Sequence, residues 1–376
     1  MKLNRMLLLA ALAVVVVSAP ALAYHDEGVA HCNGCHTMHN SQDGQLVDPD
    51  SPNGNPWLLI DASPSDTCLG CHASGLGAVL SGPGFDPLAP APNKGAGNFV
   101  FLYEDNLNDA HAGAANPVNG DAAGHNLDAP GHNLAPDATL TQSPGGIFPA
   151  SMLGCTSCHD PHGTTAFRIL YSSGRLVNDF YSFTNDAPIA EGMSIFFGSE
   201  SNSNHTAYQS GMSGWCGNCH GDFHNNNTQL IHPSGTTMGA SIANTYNLYN
   251  GSSDIEGGAQ ATAYLAQVAF EDPANTVAGT AGPSASSQVA CISCHRAHGS
   301  SAMDAGRWDF NVTGLEEDGH ESGSYKIPNP YDVNQRSLCN KCHKKDEFDA
   351  LIDFSAAGAG VDGGQSGGSS RPVIGN

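Results

Sequence analysis

The chain has little of what ordinary domains are built from. Charged residues make up only 13% of it, and few stretches sustain a helical or strand period, so neither a helix bundle nor a regular sandwich is expected. Basic residues are scarcest: Lys and Arg total 13 against 36 Asp and Glu, a formal net charge of −23. That balance argues against nucleic acid as a partner. It suits an exported, soluble protein with cationic or metal-bearing partners. Long apolar runs are also missing. The single run, Met6 to Val17, is too short to span a bilayer, so no transmembrane segment is expected. Finally, no cysteine stands alone.

Lys2 and Arg5 precede the apolar run and Ala21-Leu22-Ala23 closes it, the layout of a signal peptide over residues 1–23. Cleavage there would start the mature chain at Tyr24 and send it out of the cytoplasm. At the other end, residues 351–376 are rich in Gly and Ser and read as a flexible tail. Between them, residues 24–350 read as one unit.

That unit is rich in chain breakers, the whole sequence having 45 Gly and 22 Pro. Such a chain cannot easily offset its conformational entropy by side-chain burial alone. Something else must fill the interior. The 12 cysteines supply it, because all of them fall into six CxxC pairs, each followed at once by histidine. In chain order these are site 1 (Cys32, Cys35, His36), site 2 (Cys68, Cys71, His72), site 3 (Cys155, Cys158, His159), site 4 (Cys216, Cys219, His220), site 5 (Cys291, Cys294, His295) and site 6 (Cys339, Cys342, His343). Two thiols three residues apart can add to the two vinyl groups of a haem, and the adjacent imidazole then binds the iron as proximal ligand. Disulfides would not require a histidine after every pair, and structural zinc combines ligand pairs without this invariant pentad. Six covalently attached c-type haems follow. With roughly 60 residues for each haem, the cofactors must form much of the core. The expected fold class is a multihaem cytochrome c, mostly coil with short helices and little sheet, wrapped around a continuous chain of six haems. Short helices are expected over 236–250 and 259–270, and single helical turns at the CxxCH units.

Six irons need further axial ligands, and the 18 histidines leave His25, His31, His39, His111, His125, His132, His162, His205, His224, His232, His298 and His320. The methionines form no pattern beside the sites, so bis-histidine ligation is favoured over the His/Met alternative. His39, His162 and His298 each stand three residues past a proximal histidine, and His224 four. At that offset a side chain stays on the proximal side of its own haem, but it can reach the iron of a neighbouring one.

Several segments carry a resemblance: "GVAHCNGCHTMHNS", "GHNL" followed by "TLTQSPGGIFPASMLGCTSCHDPHG", "GMSGWCGNCHGDFHN", "IHPSG", "ATAYL", "CISCHRAH" and "LCNKCHKKD". In these the chain resembles the outer-surface hexahaem c-type cytochromes of metal-reducing bacteria that polymerise into extracellular filaments. The resemblance runs from about Tyr24 to Asp346. It implies six stacked bis-histidine haems and protomers joined end to end. It also implies that His39 ligates a haem of the adjacent protomer, while His125, His162, His224, His232 and His298 serve within the chain. The GHN motif occurs twice, and the distance to the SPGG segment favours His125 with His132 as substitute; His25 is a reserve candidate. His31, His111, His205 and His320 have no counterpart and read as surface residues. The regions around 81–123 and 172–210 depart from the pattern.

The expected function is a polymerising extracellular electron conduit and not an enzyme. It would be fed by outer-membrane cytochrome complexes and would discharge to iron oxides, electrodes or other cells. A monomeric periplasmic or cell-surface carrier is the alternative. A multihaem oxyanion reductase would need an iron with an open position, and all six motifs end in histidine.

Overall fold

The computed structural model describes residues 32–74, 78–81, 95–103, 107–108, 117–194, 200–225, 234–250, 257–308, 310 and 338–343. The expected signal peptide and tail, with His25, His31, His111, His232 and His320, lie outside these residues.

Regular structure is sparse among them. Four α-helices are present: α1 (Pro64–His72), α2 (Met212–Cys216), α3 (Gly221–Asn225) and α4 (Gly239–Leu248). The remaining helical elements are 3-10 turns, and the strands form five two-stranded antiparallel ribbons, the longest strand being Ala207–Ser210. The sequence explains α1 directly. Pro64 opens it, where its missing N–H costs nothing. The Ser63 hydroxyl caps it by accepting the Asp66 N–H at 3.0 Å. The motif residues Cys68, Cys71 and His72 form its C-terminal half, and the Ala73 N–H closes the last turn on Leu69.

The expected helix over 259–270 does not form. The segment makes two separate 3-10 turns, Gln260–Thr262 and Ala266–Val268. Residues 259–262 are exposed, whereas Tyr264, Leu265, Ala266, Val268, Ala269 and Phe270 are all buried, so burial is split along the run, outer half and inner half, instead of alternating between two faces of one helix. Its backbone bonds go to tertiary partners. The Leu265 N–H donates to the Tyr246 hydroxyl at 3.1 Å, that hydroxyl donates to the Val268 carbonyl at 2.7 Å, and the Tyr264 N–H donates to Thr280. Tertiary context has overridden local spacing.

Apolar burial is divided among three clusters. The largest holds Tyr246, Tyr264, Phe270 and Trp308, the second Leu69, Val100 and Phe101, and the third Phe148, Val177 and Phe183. Motif cysteines pack at their edges: Cys216, Cys294 and Cys342 on the first, Cys155 on the second, Cys219 on the third. The apolar cores are thus gathered around the CxxCH units. Within site 6, Lys341 is buried and donates to the carbonyls of Tyr246 and Tyr249, both at 2.9 Å, and Ala263 at 3.1 Å. It thereby anchors site 6 to the C-terminal end of α4, where unpaired carbonyls favour a cation.

Candidate metal centres

The CxxCH units occupy single tight turns. Cys32–Gly34, Cys155–Ser157, Cys291–Ser293 and Leu338–Lys341 are 3-10 turns, site 2 lies inside α1, and α2 ends at Cys216. None of the twelve cysteines is in a disulfide. Among the described residues, no three His, Cys, Asp or Glu side chains converge to cage a metal ion.

The six units stand in chain order. The Cys35 thiol interacts with Cys68 and Cys71, Cys68 is hydrogen-bonded to Cys155, and Cys158 interacts with Cys219. Cys216 is hydrogen-bonded to Cys291, and Cys294 interacts with Cys339 and Cys342. Two of these junctions are built alike. Ser65, three residues before Cys68, accepts the Cys155 N–H at 3.2 Å; Ser213, three residues before Cys216, accepts the Cys291 N–H at 3.1 Å. Burial pushes the thiols up, Cys158 and Cys342 to about 12 and Cys219 to about 11. These surroundings favour neutral sulfur, as a thioether is.

Sites 1, 3 and 5 share one local design. Each proximal histidine bridges antiparallel to a later residue: His36 to Leu59, His159 to Leu170, His295 to Gly306. Just before each partner lies a pair of non-glycine residues with positive φ, namely Trp57-Leu58, Arg168-Ile169 and Asp304-Ala305. Such conformations cost about 1–2 kcal/mol per residue. They persist because the loop makes three bonds each time. The first carbonyl accepts the histidine Nδ1–H (Trp57 3.0 Å, Arg168 2.9 Å, Asp304 2.8 Å). The second accepts the N–H of the residue after the histidine, and a following N–H returns to the second cysteine's carbonyl. With Nδ1 protonated and occupied, Nε2 is left as the lone-pair nitrogen for a metal.

Site 4 reaches the same end by another route. His220 Nδ1 bonds the Pro144 carbonyl at 2.7 Å, and the Ser143 hydroxyl donates to the Cys219 carbonyl at 2.6 Å. Both acceptor and donor come from the SPGG segment. It fits only because Gly146 lacks a side chain, since a Cβ there would stand 1.7 Å from the Cys219 carbonyl oxygen.

Three proximal histidines face a candidate distal one. Ring centres are 6.3 Å apart for His36 and His162, 6.4 Å for His159 and His298, and 6.1 Å for His220 and His125. An imidazole–metal bond is about 2.0 Å, so two imidazoles on opposite faces of one iron have centres roughly 6 Å apart. The residues therefore fit haem. His125 is further suited: its Nδ1 bonds the Ala297 carbonyl at 2.6 Å, and burial, with His220 nearby, holds it below the usual imidazole value, hence neutral. A glycine crossing places it, because the His125 N–H donates to the His298 carbonyl at 2.9 Å and a Cβ on Gly124 would stand 2.2 Å from that carbonyl oxygen. Phe99 stacks on His298 at 4.5 Å.

The other candidates are placed differently. His132 bonds through Nδ1 to the buried Asp66 carboxylate at 3.1 Å. His39 is exposed at φ +68°, beside exposed Met38, Trp57 and Leu58. Its loop is rigid, since the Asn40 amide donates to Asp48 and Ser51 and accepts the Asp48 N–H, all within 2.7–2.8 Å. His224 lies on α3. His205 is not the surface residue expected: it is 1% exposed and stacks on Tyr264 at 3.6 Å.

Sequence reasoning missed the carbonyl acceptors and the two serines. A signal for the former was present, for "HGTTAFRIL" from His162 and "HGSSAMDAG" from His298 align position by position.

Repeated CxxCH turns in single file, with preset imidazoles and little regular structure around them, define a multihaem c-type cytochrome. No family model matches the sequence. The chain is 33% identical over 430 aligned positions to the C-type cytochrome OmcS of Geobacter sulfurreducens, covering 89% of this chain and 98% of that one. Two filament structures agree: the OmcS nanowires of that organism, by cryo-EM, at a TM-score of 0.72 and its outer membrane cytochrome S filament at 0.70, each 30% identical and covering 86% of this chain and all of the other. The chain belongs to the OmcS family of c-type cytochromes.

Proposed function

We propose that this chain binds six haems and polymerises into an extracellular filament for long-range electron transfer, the assembly named for its relatives. Haem supplies one-electron Fe(III)/Fe(II) chemistry; the residues hold it, orient its ligands and exclude water. The observation that carries the reading is the set of three imidazole pairs near 6 Å together with the file of six attachment turns.

The pairs follow a rule. His162, next to site 3, faces site 1; His298, next to site 5, faces site 3. The histidine beyond an odd site thus serves the odd site before it. Applied to His39, beyond site 1, the rule leads off the start of the file to site 5 of a second protomer. That reading agrees with the exposure of His39 on its braced loop and with the apolar Met38, Trp57 and Leu58 around it. His125 serves site 4, with His132 as substitute, and His224, His232 and the reserve His25 remain for sites 2 and 6. Two histidines per iron leave no open position for substrate, which favours electron transfer over oxyanion reduction.

Residues 1–23 would direct export and be removed, 24–350 form the cytochrome unit, and 351–376 trail as a tail. Among the described residues no helix is long and apolar enough to cross a membrane. Reducing equivalents would arrive from outer-membrane cytochrome complexes and leave to extracellular acceptors such as iron oxides. Cryo-electron microscopy of the purified, haem-loaded protein tests the reading. Filaments with six haems per protomer support it; monodisperse particles with all six haems low-spin would establish the monomeric carrier instead.

A further inference from the structure

The shared loop of sites 1, 3 and 5 puts one residue in the same place three times, directly after the proximal histidine. These residues are Thr37, Asp160 and Arg296. Each donates its N–H to the second positive-φ residue of its loop, at 2.7, 2.8 and 2.7 Å, and all three are buried. The backbone is the same, while the charge is zero, negative and positive.

Around Arg296 the positive character is reinforced. Its Nη1 bonds Glu200 Oε2 at 3.1 Å, and Arg307 Nη1 reaches the same oxygen at 3.4 Å. All three side chains are at most 2% exposed. Arg307 also donates through Nε to the carbonyl of Ile292, at 2.6 Å, inside the site 5 motif itself, and through Nη1 to Ala266 at 2.9 Å. Two guanidinia and one carboxylate leave this trio with a net positive charge. It is held in the interior of a chain with 36 acidic residues and 13 basic ones. Asp160 is the opposite case, its Oδ1 accepting the His162 N–H at 3.0 Å.

Adding an electron to a bis-histidine haem lowers the charge of its iron by one. A fixed positive charge nearby therefore favours the reduced form and a negative one the oxidised form. Burial strengthens both effects, because little water intervenes to screen them. We propose that the residue after the proximal histidine orders the odd haems in reduction potential: site 5 highest through Arg296 and Arg307, site 1 intermediate at Thr37, site 3 lowest through Asp160. These are potential-setting residues and not ligands. The inference rests on the haem reading above. Electrons distributed along the file would then collect at site 5, the site assigned to the junction between protomers.

The test is a mediated spectroelectrochemical titration of the holoprotein and three variants, each first checked by mass for six attached haems. Arg296→Gln should move one high-potential component downward, and Arg296→Lys should restore it. Asp160→Asn, which keeps the acceptor for the His162 N–H, should move one low-potential component upward. If Arg296→Gln fails to fold, Asp160→Asn decides alone. An unchanged envelope, or a downward shift, in a six-haem Asp160→Asn protein overturns the proposal. A wild-type mass showing fewer than six haems would instead strike the haem reading.

Discussion

Sites 1, 3 and 5 and sites 2, 4 and 6 hold the same five-residue motif by different means. The odd sites use a loop with two left-handed residues, which presents a carbonyl to Nδ1 and carries a second histidine three residues on. Sites 2 and 4 lean on helices, α1 and α2, and at site 4 the carbonyl comes from a distant segment instead, while site 6 is a 3-10 turn tied to the end of α4 through Lys341. The motif thus specifies attachment, whereas the orientation of the imidazole is left to whatever scaffold lies nearby. In the odd scaffold that second histidine lies against a proximal histidine two sites back along the file, His162 near His36 and His298 near His159.

The largest effect should come from the even class. Gly146→Val would drive a side chain into the Cys219 carbonyl, and a backbone clash of that kind is expected to cost about 3 kcal/mol or more. Mass spectrometry should then show site 4 poorly loaded while sites 1 and 3 keep their haems. In the odd class, His162→Ala and His298→Ala should each convert one haem of six to high-spin, read by magnetic circular dichroism. A variant that stays fully low-spin would break the two-site rule. Smaller effects are expected at the junctions between classes. Ser65→Ala and Ser213→Ala each leave a motif N–H without its acceptor, at a cost of about 1 kcal/mol in chemical denaturation; clearly unequal losses would show the two junctions to be different. The gentlest change is Thr37→Asp, which gives site 1 the charge of site 3 and should lower one midpoint potential while six haems remain attached.

Much of this arrangement was legible in the sequence because cysteine and histidine announce themselves. The tight turns at the CxxCH units and the scarcity of sheet followed from spacing and composition. The expectation that His162 and His298 look past their own site also came from spacing, and their rings lie near His36 and His159. The acceptors for Nδ1 did not, because Trp57, Arg168 and Asp304 act through backbone carbonyls, which any residue has. Only comparing the stretches after His162 and His298 reveals that a nine-residue return from proximal histidine to carbonyl occurs twice. The 21-residue return from His36 to Trp57 hides the third copy behind the inserted Asn40 loop. The failed helix over 259–270 has a similar origin, since alanine, tyrosine and valine at helical spacing say nothing about the Tyr246 hydroxyl that takes over the backbone bonds there. His205 was misjudged for want of a motif: its burial comes from stacking on Tyr264, a partner 59 residues away in sequence by number alone.

The central claim is that the odd-site rule continues from one protomer into the next through His39. The most direct measurement is electron microscopy of His39→Ala beside wild type, both haem-loaded and at equal concentration. The account predicts filaments from wild type and only short or single particles from the variant, with one haem per protomer high-spin. Filaments of ordinary length from His39→Ala, with every haem low-spin, would contradict it.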